Sequence, residues 1–119
     1  ERILDFIDKK YSDRHTLILG DSTKTIPKYE SDVKYDLIFI DGGHDYETVI
    51  NDIELSDYVL KKNGLLIMDD SSTYLNFEPN FEGFKGHEDV SKAIIDKLDK
   101  KNNYKHLFAC GHNRVWVKI

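Results

Sequence analysis

One cysteine in 119 residues, Cys110, excludes an internal disulfide and suits a reducing, cytoplasmic setting. Long hydrophobic runs are missing. None approaches the length of a membrane helix and no charged-then-apolar leader opens the chain, so no membrane partner is expected. Basic charge is also scarce: 17 Lys and Arg against 22 Asp and Glu leave a net charge of −5, which argues against a nucleic-acid surface. There is no C-x-x-C and no finger spacing among His87, His106, His112 and Cys110, which sets a zinc finger aside. The glycine fingerprint of dinucleotide oxidoreductases is absent, as are internal repeats and low-complexity segments. With 39% apolar and 33% charged residues, what remains is one soluble domain with a modest core.

The most informative stretch runs from Tyr35 to Tyr46. Its apolar run, Leu37 to Ile40, shows no alternation, which is how a strand buried on both faces of a parallel sheet reads. The strand, 36 to 40, stops at Asp41-Gly42-Gly43-His44, where two glycines free the backbone for a tight turn. A second such strand, Gly64 to Met68, ends in Asp69-Asp70. Ligands of open α/β sheets bind outside the carboxyl ends of the strands, so three carboxylates and an imidazole are delivered to the binding edge.

The flanking segments complete an α/β pattern. Ile3, Leu4, Ile7 and Tyr11 stripe one side of a helix over residues 2 to 12. A short strand is expected at 15 to 19 with Gly20-Asp21-Ser22 as its turn, then a helix or irregular connection over 23 to 34. Asp45 is a plausible N-cap for a helix carrying Tyr46, Val49, Ile50, Ile53 and Leu60. Lys61-Lys62 would form its last turn and Asn63-Gly64 its C-cap, giving a βαβ crossover. Residues 71 to 87, with Tyr74, Phe77, Phe81 and Phe84, read as a lid loop or as rings completing the core. A third helix is expected from 88 to 101, and strands 105 to 110 and 114 to 119 form a hairpin around Gly111-His112-Asn113.

In combination, Leu19-Gly20-Asp21-Ser22, the stretch Asp36 to His44, Tyr46 with Asp52, and Lys62 to Asp70 resemble the C-terminal part of a class I S-adenosylmethionine-dependent methyltransferase. The likeness is strongest to small-molecule O-methyltransferases whose sites hold a divalent metal. It implies a Rossmann-like methyltransferase sheet, mostly parallel with an antiparallel C-terminal hairpin, in a single partial domain over 1 to 119. The family's first strand and glycine-rich turn, and its second strand with the acidic ribose ligand, have no counterpart here. The chain then reads either as part of a longer protein or as a degenerate relative.

The resemblance implies that Gly20, Asp21, Ser22, Asp41 and Gly42 border S-adenosylmethionine, with Asp21 and Ser22 near the adenine. It implies a site for Mg²⁺ or a similar cation at Asp41, Asp69 and Asp70, since hard cations take oxygen ligands. His44 is the candidate general base for a small-molecule acceptor, with a metal neighbour or a turn residue as its other readings. A receiver domain also gathers strand-end aspartates, but here the lone Asp41 precedes the acidic pair and no strand-end lysine follows. The competing function is a non-catalytic structural or partner-binding module. Without its neighbouring strands, strand 36 to 40 has an open edge, which is expected to recruit strand 15 to 19 or to pair with a second copy in a homodimer.

Overall fold

A computed structural model describes residues 3–29, 33–76 and 81–119 of the chain. Four helices, α1 (Ile3–Tyr11), α2 (Ser22–Tyr29), α3 (Tyr46–Val59) and α4 (Glu88–Ile94), accompany four strands, β1 (Tyr35–Ile40), β2 (Leu60–Met68), β3 (Tyr104–Cys110) and β4 (Asn113–Lys118). The strands lie in the order β1-β2-β4-β3. β1 and β2 are parallel, joined through α3 in the expected crossover, while β4 runs antiparallel to both β2 and β3. The sheet is therefore mixed, and among the described residues its parallel part is the β1–β2 pair.

The period-2 alternation of strands decides which residues meet the core. Ile38, Leu66, Trp116 and His106 stand opposite one another across the four strands. Leu66 and Trp116 from that row join Val49, Ile50 and Ile53 of α3 and Val90, Ala93 and Ile94 of α4 in one apolar cluster, with Ile38 packed against it. α3 starts where expected because the Asp45 carboxylate accepts from the Thr48 backbone N–H at 3.0 Å. No helix among the described residues is long and apolar enough to cross a membrane.

Several expectations are corrected. β1 is not buried on both faces: Ile38 and Ile40 turn to the core, but Leu37 and Phe39 are 50% and 52% exposed. Among the described residues, α3 and α4 pack on the face that carries Ile38, Leu66 and Trp116. Residues 15 to 19 form no strand; Leu17, Ile18 and Leu19 are exposed in irregular chain, so this run does not pair with β1. An apolar run becomes a strand only when another backbone supplies its hydrogen bonds.

α3 ends at Val59, earlier than its charge pattern suggests. Leu60 turns extended (φ −80°, ψ 132°) and pairs with Tyr35, so Lys61 and Lys62 belong to β2, whose ladder shifts register before Leu37. Asn63 adopts a positive φ of 65° inside β2 rather than after a helix. The third helix is present, but its C-terminal part, Ile95–Asp99, widens into a π turn.

Candidate active site

The carboxyl ends of β1 and β2 are adjacent, and the Asp69 backbone N–H donates to the Ile40 carbonyl at 3.0 Å. Successive strand residues would point to opposite faces, yet the carboxylates of Asp69 and Asp70 lie close together. β2 has ended at Met68, and in the turn that follows Asp70 takes a φ of +50°, which brings its side chain beside that of its neighbour. Both carboxylates are largely sheltered, with side chains 17% and 12% exposed.

Three imidazoles from three loops meet this pair. His44, in the turn after β1, brings Nε2 to 3.1 Å from Asp70 Oδ2. His87, just before α4, brings its Nε2 to 3.6 Å from the same oxygen. The two rings stack with centroids 4.2 Å apart. His112, in the β3–β4 turn, places Nε2 at 3.2 Å from Asp69 Oδ1. Phe84 lies against His87 and His112, at centroid distances of 5.5 and 5.8 Å, so part of the expected lid loop does line the site. Phe77 lies outside the described residues.

The backbone fixes these loops. Ser71 donates its N–H to the His112 carbonyl at 2.7 Å, and the His87 N–H donates to the Asp70 carbonyl at 2.9 Å. Gly86, at φ +117°, presses so closely on Asp70 that a Cβ would lie 2.0 Å from its carbonyl oxygen. Only glycine fits there.

The cofactor residues expected from the sequence divide in two. Asp21 caps the first turn of α2: its Oδ1 accepts from the Thr23 hydroxyl at 2.6 Å and the Thr23 N–H at 3.0 Å. The Thr23 hydroxyl, then its N–H, hold the Asp21 carboxyl below its ordinary range. Gly20 supplies the preceding turn at φ +146°. Ser22, Asp41 and Gly42 instead line a cavity of about 220 Å³ at the end of β1, with Ile26, Ile38 and Asp52. Asp52 is 8% exposed and its Oδ1 accepts from the Ser22 hydroxyl at 2.6 Å. A Cβ on Gly42 would reach to 3.3 Å from Asp52 Oδ2, so glycine keeps this cavity open.

Two groups of ligand atoms close to within 4.8 Å among the described residues: His44, Asp70 and His87, and Asp69, Asp70 and His112. Asp69 and Asp70 are thus brought together as expected, whereas Asp41 falls in neither group. His87 and His112 carried no signal in linear spacing, since they approach the carboxylates from 17 and 42 or more residues away. Asp52 did carry one, being an acid on the apolar stripe of α3.

A family described as a methyltransferase domain matches residues 1–71, more than half of the chain. No curated protein matches the sequence. A solved structure from Staphylococcus aureus, inferred to be a caffeoyl-CoA O-methyltransferase, is similar at TM-score 0.68 and 19% identity, covering 97% of this chain and 56% of its own. Another from Klebsiella pneumoniae, inferred to be an O-methyltransferase, is similar at TM-score 0.62 and 16% identity, covering 92% and 52%. At such identities the likeness shows a shared fold. The chain spans about half the length of these solved structures.

Proposed function

The chain belongs to the methyltransferase-domain family, and from that premise we propose that it serves methyl transfer from S-adenosylmethionine to a hydroxyl of a small molecule, assisted by a divalent cation. The observation that carries this reading is the convergence of Asp69, Asp70 and His44 at the strand ends, next to the cavity lined by Ser22, Asp41, Gly42 and Asp52.

The residues present fit both groups. The cavity offers apolar walls from Ile26 and Ile38 and acceptor oxygens from Asp41 and Asp52, a lining suited to a nucleoside. The sheltered carboxylate pair offers oxygen ligands to a cation. Such a cation, when bound, favours the deprotonated form of an acceptor hydroxyl.

The chain's own residues supply position and proton uptake. Asp41 and Gly42 line the cavity and share a second pocket with His44 and Asp69, so donor and acceptor would sit next to one another. Nε2 of His44 lies 3.1 Å from Asp70 Oδ2, so this carboxylate holds the imidazole beside the place where it would take the acceptor's proton. His87, stacked on His44, restricts that ring's rotation. Because the reaction is an in-line displacement, holding the nucleophile against the sulfonium carbon supplies much of the acceleration.

The test is transfer of tritium from methyl-labelled S-adenosylmethionine to catechol and vicinal-diol acceptors. Labelled product is expected, with His44→Ala lowering the rate by about 10²- to 10⁴-fold. Absence of transfer and of cofactor binding would favour the non-catalytic module instead.

A further inference from the structure

The carboxylates expected to hold the cation are Asp41, Asp69 and Asp70, but the structure groups the ligand atoms differently. Asp69 and Asp70 are joined by the imidazole of His112, not by Asp41. We propose that His112 is a metal ligand, and that Asp69, Asp70 and His112 together select a first-row transition ion over Mg²⁺. The inference rests on the reading of Asp69–Asp70 as the cation site and names the ligand set and class of ion.

Three features support it. The first is charge. Two adjacent carboxylates, 17% and 12% exposed and within 4.8 Å of one another through their ligand oxygens, are costly to shelter without a compensating cation. The second is spacing. Imidazole nitrogen and carboxylate oxygen each bind such an ion at about 2.0–2.2 Å, so two of them on one ion stand roughly 3 to 3.5 Å apart. His112 Nε2 and Asp69 Oδ1 are 3.2 Å apart. That distance also suits a hydrogen bond, so it needs the third feature, which is how the loop is held.

The carbonyl of His112 accepts from both the N–H and the hydroxyl of Ser71, at 2.7 and 3.2 Å, and the Ser71 hydroxyl also donates to the Met68 carbonyl at 2.8 Å. The residue following the two carboxylates thus ties the hairpin turn to the end of β2. The His112 side chain is 42% exposed, so an ion has an open approach to a ligand that is fixed from behind.

The ligand chemistry then decides the metal. Mg²⁺ favours oxygen ligands in near-octahedral geometry and keeps several waters. An imidazole with two carboxylates suits Zn²⁺, Co²⁺, Fe²⁺ or Mn²⁺. His44 and His87, which approach Asp70 Oδ2 at 3.1 and 3.6 Å, are left for the acceptor's proton.

The experiment titrates the protein with Zn²⁺ and with Mg²⁺ by calorimetry, and follows the histidine ring nitrogens by NMR during the Zn²⁺ titration. Zn²⁺ is expected to bind at least about 100-fold more tightly than Mg²⁺. The His112 ring signal should shift on saturation in the unsubstituted protein, a readout independent of any folding defect. His112→Ala is expected to weaken Zn²⁺ about tenfold to a hundredfold, and Asp41→Asn less than about threefold. Absence of Zn²⁺ binding overturns the inference. So does binding that is lost on His87→Ala or Asp41→Asn and indifferent to His112→Ala. If both ions bind alike with the His112 ring unmoved, the ligand assignment fails while a carboxylate-bound cation stands. If His112 ligates Zn²⁺ but no methyl transfer is found, the assignment stands and the functional reading falls.

Discussion

The two faces of the sheet are built from similar apolar residues and are buried to different extents. On one, Leu66 and Trp116 lie at 0% and 1% exposure against the helices, with Ile38 beside them. On the other, Leu37, Phe39 and Phe108 are 50%, 52% and 56% exposed. Composition states what a strand could bury; the elements laid over it decide what it does bury. The helix-covered face also holds the site steady, because β1 and β2 reach their strand-end turns from a fixed core.

Truncation on each face gives the largest contrast. Trp116→Ala removes a buried indole whose Nε1–H reaches Asp99 Oδ1 at 3.3 Å, and should cost about 3–5 kcal/mol in urea unfolding. Phe39→Ala, on the open face, should cost under ~1 kcal/mol. Equal losses would mean that the open face is covered in solution, and the comparison would break.

A smaller effect is expected behind the site. Gly86→Ala forces a Cβ against the Asp70 carbonyl at a φ of +117°, so its loop must shift at a cost of about 1–3 kcal/mol. The melting temperature should fall, and the stacked rings of His44 and His87 should separate in their NMR contacts. An unchanged protein would show that the loop is not held where described.

The smallest effect tests the far edge of the covered face by pH. Burial, and then the Arg114 guanidinium, hold the His106 imidazole below its ordinary range, with Asp99 opposing. Its neutral Nε2 accepts from Arg114 Nε at 3.3 Å. The folded protein thus binds this proton more weakly than the unfolded chain does. The stability it contributes is complete above the unfolded value of about 6.5 and is lost as pH falls through the lower folded value. Urea midpoints at pH 7.5 and pH 5 should therefore differ less in His106→Gln than in the unsubstituted protein. An identical difference would deny His106 this role.

Much of the fold was legible from local chemistry. The run Leu37 to Ile40, the Asp45 cap and the glycine-bearing hairpin turn each marked its element because the signal lay within a few residues. The failures were non-local. Residues 15 to 19 needed a neighbouring backbone to become a strand, and Leu60 left its helix because Tyr35 paired with it. The site divided in the same way. Asp69-Asp70 were readable as a strand end, whereas His87 and His112 join them only through the turns that follow β2 and β3. Asp21 was assigned to the cofactor by resemblance, and the structure shows in addition a local contact that Asp21-Ser22-Thr23 signals, its carboxylate accepting from the Thr23 N–H and hydroxyl at the start of α2.

The most direct measurement is calorimetric titration of the protein with S-adenosylmethionine, first with a chelator and then with a divalent cation. Micromolar binding of the cofactor is expected, abolished when Gly42→Leu fills the cavity against Asp52, together with a separate heat from the cation that Asp70→Asn removes. Silence from cofactor and cation alike would contradict this expectation.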